Sequence, residues 1–250
     1  MPFLVFYMIL SSAAIQIFLI FSIILSLIMF FKNIDKNSYK KYFELIAYLS
    51  ILIPFFTFYE QGTSSVVLLI GNFKENSQNV NFNGIPTTIF QSIDPIISML
   101  LGYLISYFWI KNKFVISKFK RIILSFTMLS IAFYILKLIT SDCKIYISYN
   151  YIIFIYIFFV CSEVIMTPLG LSAISNSTFV KSVGTITGLY NVFIAAGQWS
   201  AGIIAILLFY DKEDLVVYHN GYYFLMKIAI GIVFFLSFLF ISNKFISKPK

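Results

Sequence analysis

Three carboxylates fall inside otherwise apolar stretches of this chain, Glu60, Asp94 and Glu163. An acid near the centre of a membrane helix costs roughly 2.5–3.5 kcal/mol on insertion scales, so such a group is retained for a proton, an ion or a polar substrate. Thr57, Glu60 and Ser64 follow a three-then-four spacing that puts them on one helical face, with Gln61 and Ser65 beside it and Pro54 breaking the same helix. Gln91, Asp94 and Ser98 repeat the spacing, and Pro95 frees the carbonyl of Gln91. Glu163, Thr167 and Gly170 share a third face, where Pro168 frees the carbonyl of Val164. Broken helices, freed carbonyls and ionisable groups together line transporter cavities, because irregular backbone is tolerated at membrane depth only where it faces protein or water. The competing readings are an acid paired structurally with a neighbouring helix and, for Asp94, one facing water.

Other chemistries find less support. His219 has no second histidine and no neighbouring cysteine, which makes it a poor metal ligand, and the expectation is no metal. Hydrolysis through Ser172 lacks a base, since His219 is placed in a loop at the opposite face, and no enzyme is expected. Cys161 lies in an apolar span and Cys143 in a loop, so both are expected as free thiols.

The elements that must carry these groups follow from composition. With 60% hydrophobic and 11% charged residues, 30 Phe and 17 Tyr, the chain is an all-α integral membrane protein. Seven spans are expected, at Phe3–Phe31, Phe43–Ile70, Thr87–Ile110, Phe119–Thr140, Tyr149–Ile174, Val183–Phe209 and Tyr222–Ile241. The first is too long and featureless for a cleaved signal. Asn72–Asn83 and Asp211–Asp214 read as solvated outer loops. Alternate loops carry unequal charge. One set holds Lys32, Lys36, Lys40, Lys41, Lys111, Lys113, Lys118, Lys120, Arg121, Lys181, Lys244, Lys248 and Lys250; the other holds only Lys74, Lys144 and Lys212. The first set belongs in the cytoplasm, with the C-terminus inside and Met1 outside. Lys137 and Lys227 lie near span ends and can snorkel. The net charge of +8 is thus explained without a nucleic-acid partner.

In the sixth span Gly184, Gly188, Asn191, Ala195, Gln198 and Gly202 make a stripe of small and polar residues that suits close helix packing. Tyr190, Asn191 and Trp199 could instead present groups to a cavity. No cation lies near the middle of any span, so the three acids either hold protons or meet positive charge from another polypeptide or from the substrate. Both favour proton-linked or amine-linked transport.

Four stretches carry a resemblance: Phe58-Tyr59-Glu60-Gln61-Gly62-Thr63-Ser64-Ser65, then Phe90-Gln91-Ser92-Ile93-Asp94-Pro95, then Ser162-Glu163 with Thr167-Pro168-Leu169-Gly170-Leu171-Ser172, then Thr187-Gly188-Leu189-Tyr190 with Ala196-Gly197-Gln198 and Ala201-Gly202. In order and spacing they resemble the C-terminal half of the proton-dependent oligopeptide transporters, symporters of the major facilitator superfamily. The likeness covers roughly Lys40 to Ile241. It implies a six-helix half over residues 43–250, preceded over residues 1–42 by a linker helix and basic loop. It also implies a multi-pass protein of the cell membrane that takes up di- and tripeptides with protons and uses no other cofactor. Glu60 matches the acid that couples proton movement and gating, and Glu163 the acid that receives the peptide amino terminus. Gln91 and Asp94 match a peptide-contacting stretch, with Asp94 where the family more usually has Asn. Tyr190 stands where Trp is common, next to Asn191. The first six helices of such a transporter are missing from this sequence, so a separately encoded N-terminal half is the expected partner, beside short peptides and the bilayer. The alternative is a non-transporting remnant.

Overall fold

The computed structural model describes residues 17, 20, 21, 24, 25, 28, 39–76, 80–81, 88–111, 116–141, 147–175, 183–209 and 215–246. Eight helices are complete among them: α1 Tyr39–Ser50, α2 Leu52–Tyr59, α3 Ser65–Asn76, α4 Thr88–Lys111, α5 Lys118–Ser141, α6 Tyr149–Ser175, α7 Val183–Phe209 and α8 Leu215–Ile246. Residues Val80–Asn81 (β1) and Ile147–Ser148 (β2) pair in parallel, Val80 opposite Ile147. Among the described residues four helices are long and apolar enough to cross a membrane, over Lys118–Ser141, Asn150–Ser175, Val183–Phe209 and Leu215–Ile241. Of the first predicted span only Ile17, Ile20, Phe21, Ile24, Leu25 and Ile28 are described, all helical and exposed. Met1, Cys143 and Asp211–Asp214 lie outside the described residues.

Contact density divides the chain into two compact units, one of Met1–Phe56 with Gly170–Trp199, the other of Thr57–Leu169 with Ser200–Lys250. In the first, the ring of Tyr190 packs where a side chain on Gly170 would fall, so the missing Cβ is what admits it. The second is built on aromatic side chains. Phe58 meets the edge of Phe133 at 5.8 Å between centroids, and Phe133 meets Phe159 at 5.6 Å. Phe209 stacks on Tyr218 at 5.1 Å and lies 4.9 Å from Tyr222. Helices α5 and α8 run antiparallel: Phe119 stacks on Phe240 at 5.7 Å near one end, while near the other His219 Nδ1 lies 3.0 Å from the carbonyl of Lys137.

Three expectations change. Asn72 to Asn76, expected in a loop, continue α3. The second predicted span is three helices rather than one. Helix α1 ends at Ser50 because the ring of Pro54 would clash with that carbonyl and has no N–H to offer it. A second break covers Glu60 to Ser64, so Thr57, Glu60 and Ser64 do not line one regular helix. The seventh span also starts earlier, at Leu215, because buried Tyr218 and Tyr222 anchor its first turns against Phe209. His219 therefore sits on a helix, not in a loop. Lys227 falls well inside the apolar stretch Leu215–Ile241 rather than near its end.

Candidate functional site

The break between α2 and α3 positions the site. Its backbone leaves the regular ladder: Gln61 N and Gly62 N bond three residues back, to Phe58 O at 3.2 Å and Tyr59 O at 3.1 Å, and Val66 N bonds five back, to Gln61 O at 3.1 Å. Side-chain hydroxyls donate to carbonyls in and beside the break. Tyr156 Oη donates to Gly62 O at 2.6 Å and Tyr222 Oη to Ser65 O at 3.2 Å, both buried. Ser64 Oγ and Thr63 Oγ1 donate to Glu60 O at 2.6 and 3.1 Å. The buried amide of Gln61 spans the break, donating to Ala201 O on α7 at 3.1 Å and to Thr57 O at 3.3 Å. These bonds hold irregular backbone in place without water, as membrane depth requires.

The break opens a cavity of about 270 Å³ lined by Tyr59, Glu60, Thr63, Asp94, Pro95, Ser98 and Glu163. All three acids singled out in the sequence line it. Close approach of α4 to α6 helps bring Asp94 and Glu163 together, with Gly102 leaving its Cβ position only 4.0 Å from Val164. Glu60 Oε2 accepts from Thr63 Oγ1 at 2.6 Å within the break itself. Asp94 and Glu163 are joined differently, through Tyr59, whose hydroxyl lies 2.9 Å from Asp94 Oδ2 and 2.8 Å from Glu163 Oε2.

That bridge constrains the proton inventory. A phenol has one hydrogen to donate, and ionised carboxylates only accept. Two ionised carboxylates cannot both bond to the Tyr59 oxygen. The arrangement is satisfied when one acid keeps its proton and donates it to Tyr59, while Tyr59 donates to the other. Asp94 Oδ1 is buried without a hydrogen-bond partner, an arrangement that a neutral acid tolerates better than a carboxylate does.

The remaining predicted residues stand elsewhere. Gln91 is on α4, its side chain undescribed. Tyr190 is buried against Gly170 and Asn191 is exposed, both on α7, and neither is among the residues lining the cavity. Tyr59 was not singled out by the sequence. Its signal was a phenol beside Glu60 at an interrupted helix, where a regular helix would have turned it away from Glu60's face. Among the described residues no group of three His, Cys, Asp or Glu side chains has metal-site geometry.

Comparison with known proteins places the fold. Solved structures share the fold: a POT family transporter in complex with 5-aminolevulinic acid is 22% identical, with a TM-score of 0.72 over 97% of this chain and 50% of its own. A POT family transporter in complex with a thioalcohol-conjugated peptide is 22% identical at a TM-score of 0.70, over 97% of this chain and 50% of its own. Tetrameric PepTSo2 is 19% identical at a TM-score of 0.72, over 96% and 51%. The chain thus spans about half the length of these transporters. No curated protein matches its sequence. The sequence profile of the POT family matches residues 6–222, well over half the chain. This chain belongs to the POT family, a family of membrane transporters and not of enzymes.

Proposed function

We propose that the chain works as the C-terminal half of a proton-coupled symporter of di- and tripeptides. The observation that carries the reading is Tyr59, within hydrogen-bond distance of both Asp94 and Glu163. The bridge holds one proton beyond the tyrosine's own. A substrate ammonium brings a positive charge and three donors, enough to satisfy both carboxylates once that proton has left. Arrival of the amino terminus at Glu163 and departure of the proton from Asp94 are then one exchange, which links substrate binding to proton movement. Glu60, held within the same break by Thr63, is the second acid through which the proton leaves. Gln91, Tyr190 and Asn191 are further substrate contacts that the likeness to peptide transporters implies.

In this reading a partner supplies the rest of the transporter, with residues 1–42 as its linker and residues 43–250 as the working half. The proposed setting is the plasma membrane, multi-pass, with the C-terminus cytoplasmic, as the loop charges favour. Reconstitution into proteoliposomes tests the reading. With a family N-terminal half present, a proton gradient should drive dipeptide uptake, and Glu163→Gln should abolish it. Full uptake by the isolated chain would contradict the need for a partner. Failure of both dipeptide binding and uptake with the partner present would leave the remnant reading in its place.

A further inference from the structure

Two lysines from different helices converge on one ring at the membrane-facing surface of α5 and α8. Lys137 Nζ lies 5.4 Å and Lys227 Nζ 4.1 Å from the ring centroid of Tyr223. Helical side chains lean toward the N-terminus of their helix. On these antiparallel helices Lys137 therefore leans deeper into the bilayer and Lys227 leans back toward the surface, and they meet at Tyr223. Snorkelling alone would send Lys137 the other way. His219, one turn before Tyr223 on α8, fixes the register through its contact with the carbonyl of Lys137.

The surroundings are apolar and open. Tyr134 and Leu138 flank Lys137, Phe224 and Ile228 flank Lys227, and all four are exposed. Among the described residues no carboxylate pairs with either lysine. The face of a tyrosine ring offsets only part of one positive charge. Two ammonium groups drawn to one ring at the edge of a low-dielectric region repel each other, and an anion beside that ring relieves the repulsion.

We propose that Lys137, Lys227 and Tyr223 bind the phosphate of an anionic phospholipid, its acyl chains lying along the exposed apolar surface of α5 and α8. The choice of occupant rests on that surface: two cations beside one ring attract an anionic head group, and the exposed apolar side chains around this pair offer nothing to a soluble anion but fit lipid tails. The site lies at the opposite end of α5 from Lys118, Lys120 and Arg121, which by the charge distribution is the outer leaflet.

Native mass spectrometry of the detergent-purified chain, titrated with phosphatidylglycerol or with phosphatidylcholine of the same acyl chains, tests the proposal. The wild-type chain should retain one phosphatidylglycerol more than K137Q/K227Q, whose affinity for that lipid should fall roughly thirtyfold, while K137R/K227R keeps it. Phosphatidylcholine should show no such difference. As a readout that needs no variant, phosphatidylglycerol should protect Lys137 and Lys227 of the wild-type chain from acylation in peptide mapping, and phosphatidylcholine should not. Equal retention by wild type and K137Q/K227Q, equal protection by both lipids, or displacement of the lipid by inorganic phosphate would each overturn the proposal.

Discussion

Replacing Tyr59 with Phe removes one oxygen and nothing else, yet that oxygen links Asp94 to Glu163. Both bonds it makes are well formed, at 2.9 and 2.8 Å. Hydrogen bonds to charged groups contribute about 1.5–3 kcal/mol each. The two acids are only partly buried, which favours the lower end, and one bond is neutral when a single proton is shared. A total loss of about 2–3 kcal/mol is expected, from broken bonds and from two acids left side by side with no bridging donor. Asp94→Asn and Glu163→Gln should each cost less, about 1 kcal/mol or under, because an amide can donate to the tyrosine oxygen where an ionised carboxylate cannot. Reversible unfolding in mixed micelles with increasing sodium dodecyl sulfate measures these differences. A double-mutant cycle between Tyr59→Phe and Glu163→Ala, which removes the carboxyl group altogether, should give a coupling of about 1–2 kcal/mol. Additivity within roughly 0.5 kcal/mol would refute the bridge as an energetic link, whatever the geometry.

Other substitutions test the break and the packing that hold the site. Tyr156→Phe leaves the carbonyl of Gly62 buried and unbonded, which should cost about 1–3 kcal/mol and raise hydrogen exchange first at residues 60–66. Gln61→Leu removes donors to Ala201 and Thr57, and the same unfolding assay should show a loss of about 2–3 kcal/mol. A methyl added by Gly170→Ala meets the ring of buried Tyr190, so a loss of about 1–3 kcal/mol is expected, relieved in the double variant with Tyr190→Leu. Gly221→Ala drives a methyl into Phe209 and should destabilise the start of α8 by a similar amount, read as faster exchange at residues 215–222.

Hydropathy located most helices because a bilayer sets their length. The sixth predicted span coincides with α7, the fifth differs from α6 by one residue at one end, and the third and fourth differ from α4 and α5 by one residue at each end. Where chain direction depends on side chains rather than on apolar run length, the same signal failed. Residues Phe43 to Ile70 read as one span on average hydropathy, which has no means to see that Tyr156, more than ninety residues away, caps the carbonyl of Gly62 in a break at Glu60, or that Tyr222 bonds the carbonyl of Ser65 where the helix resumes. The early start of α8 has a similar origin, in rings of Tyr218 and Tyr222 packed on Phe209.

The candidate site was legible as three expensive acids, and Glu60, Asp94 and Glu163 do line one cavity. What joins Asp94 to Glu163 was not legible. Helical spacing assigned the second span to one regular face, and a phenol one residue away from Glu60 falls off that face by about 100°. Only the break brings Tyr59 and Glu60 to the same cavity. The lysine pair was hidden for a related reason: a boundary at Tyr222 put Lys227 near a span end, where a lone cation needs no explanation.

The central claim is that Tyr59, Asp94 and Glu163 together hold one proton that a substrate ammonium displaces. Infrared difference spectroscopy of the lipid-reconstituted chain at neutral pH, paired with its N-terminal half and recorded with and without dipeptide, reads that proton directly. The claim predicts a protonated-carboxyl carbonyl band in the unliganded protein, shifted by Tyr59→Phe, missing in Asp94→Asn, and lost on addition of dipeptide to the wild type. Bound dipeptide with that band unchanged, or no protonated carboxyl that Asp94→Asn removes, would contradict it.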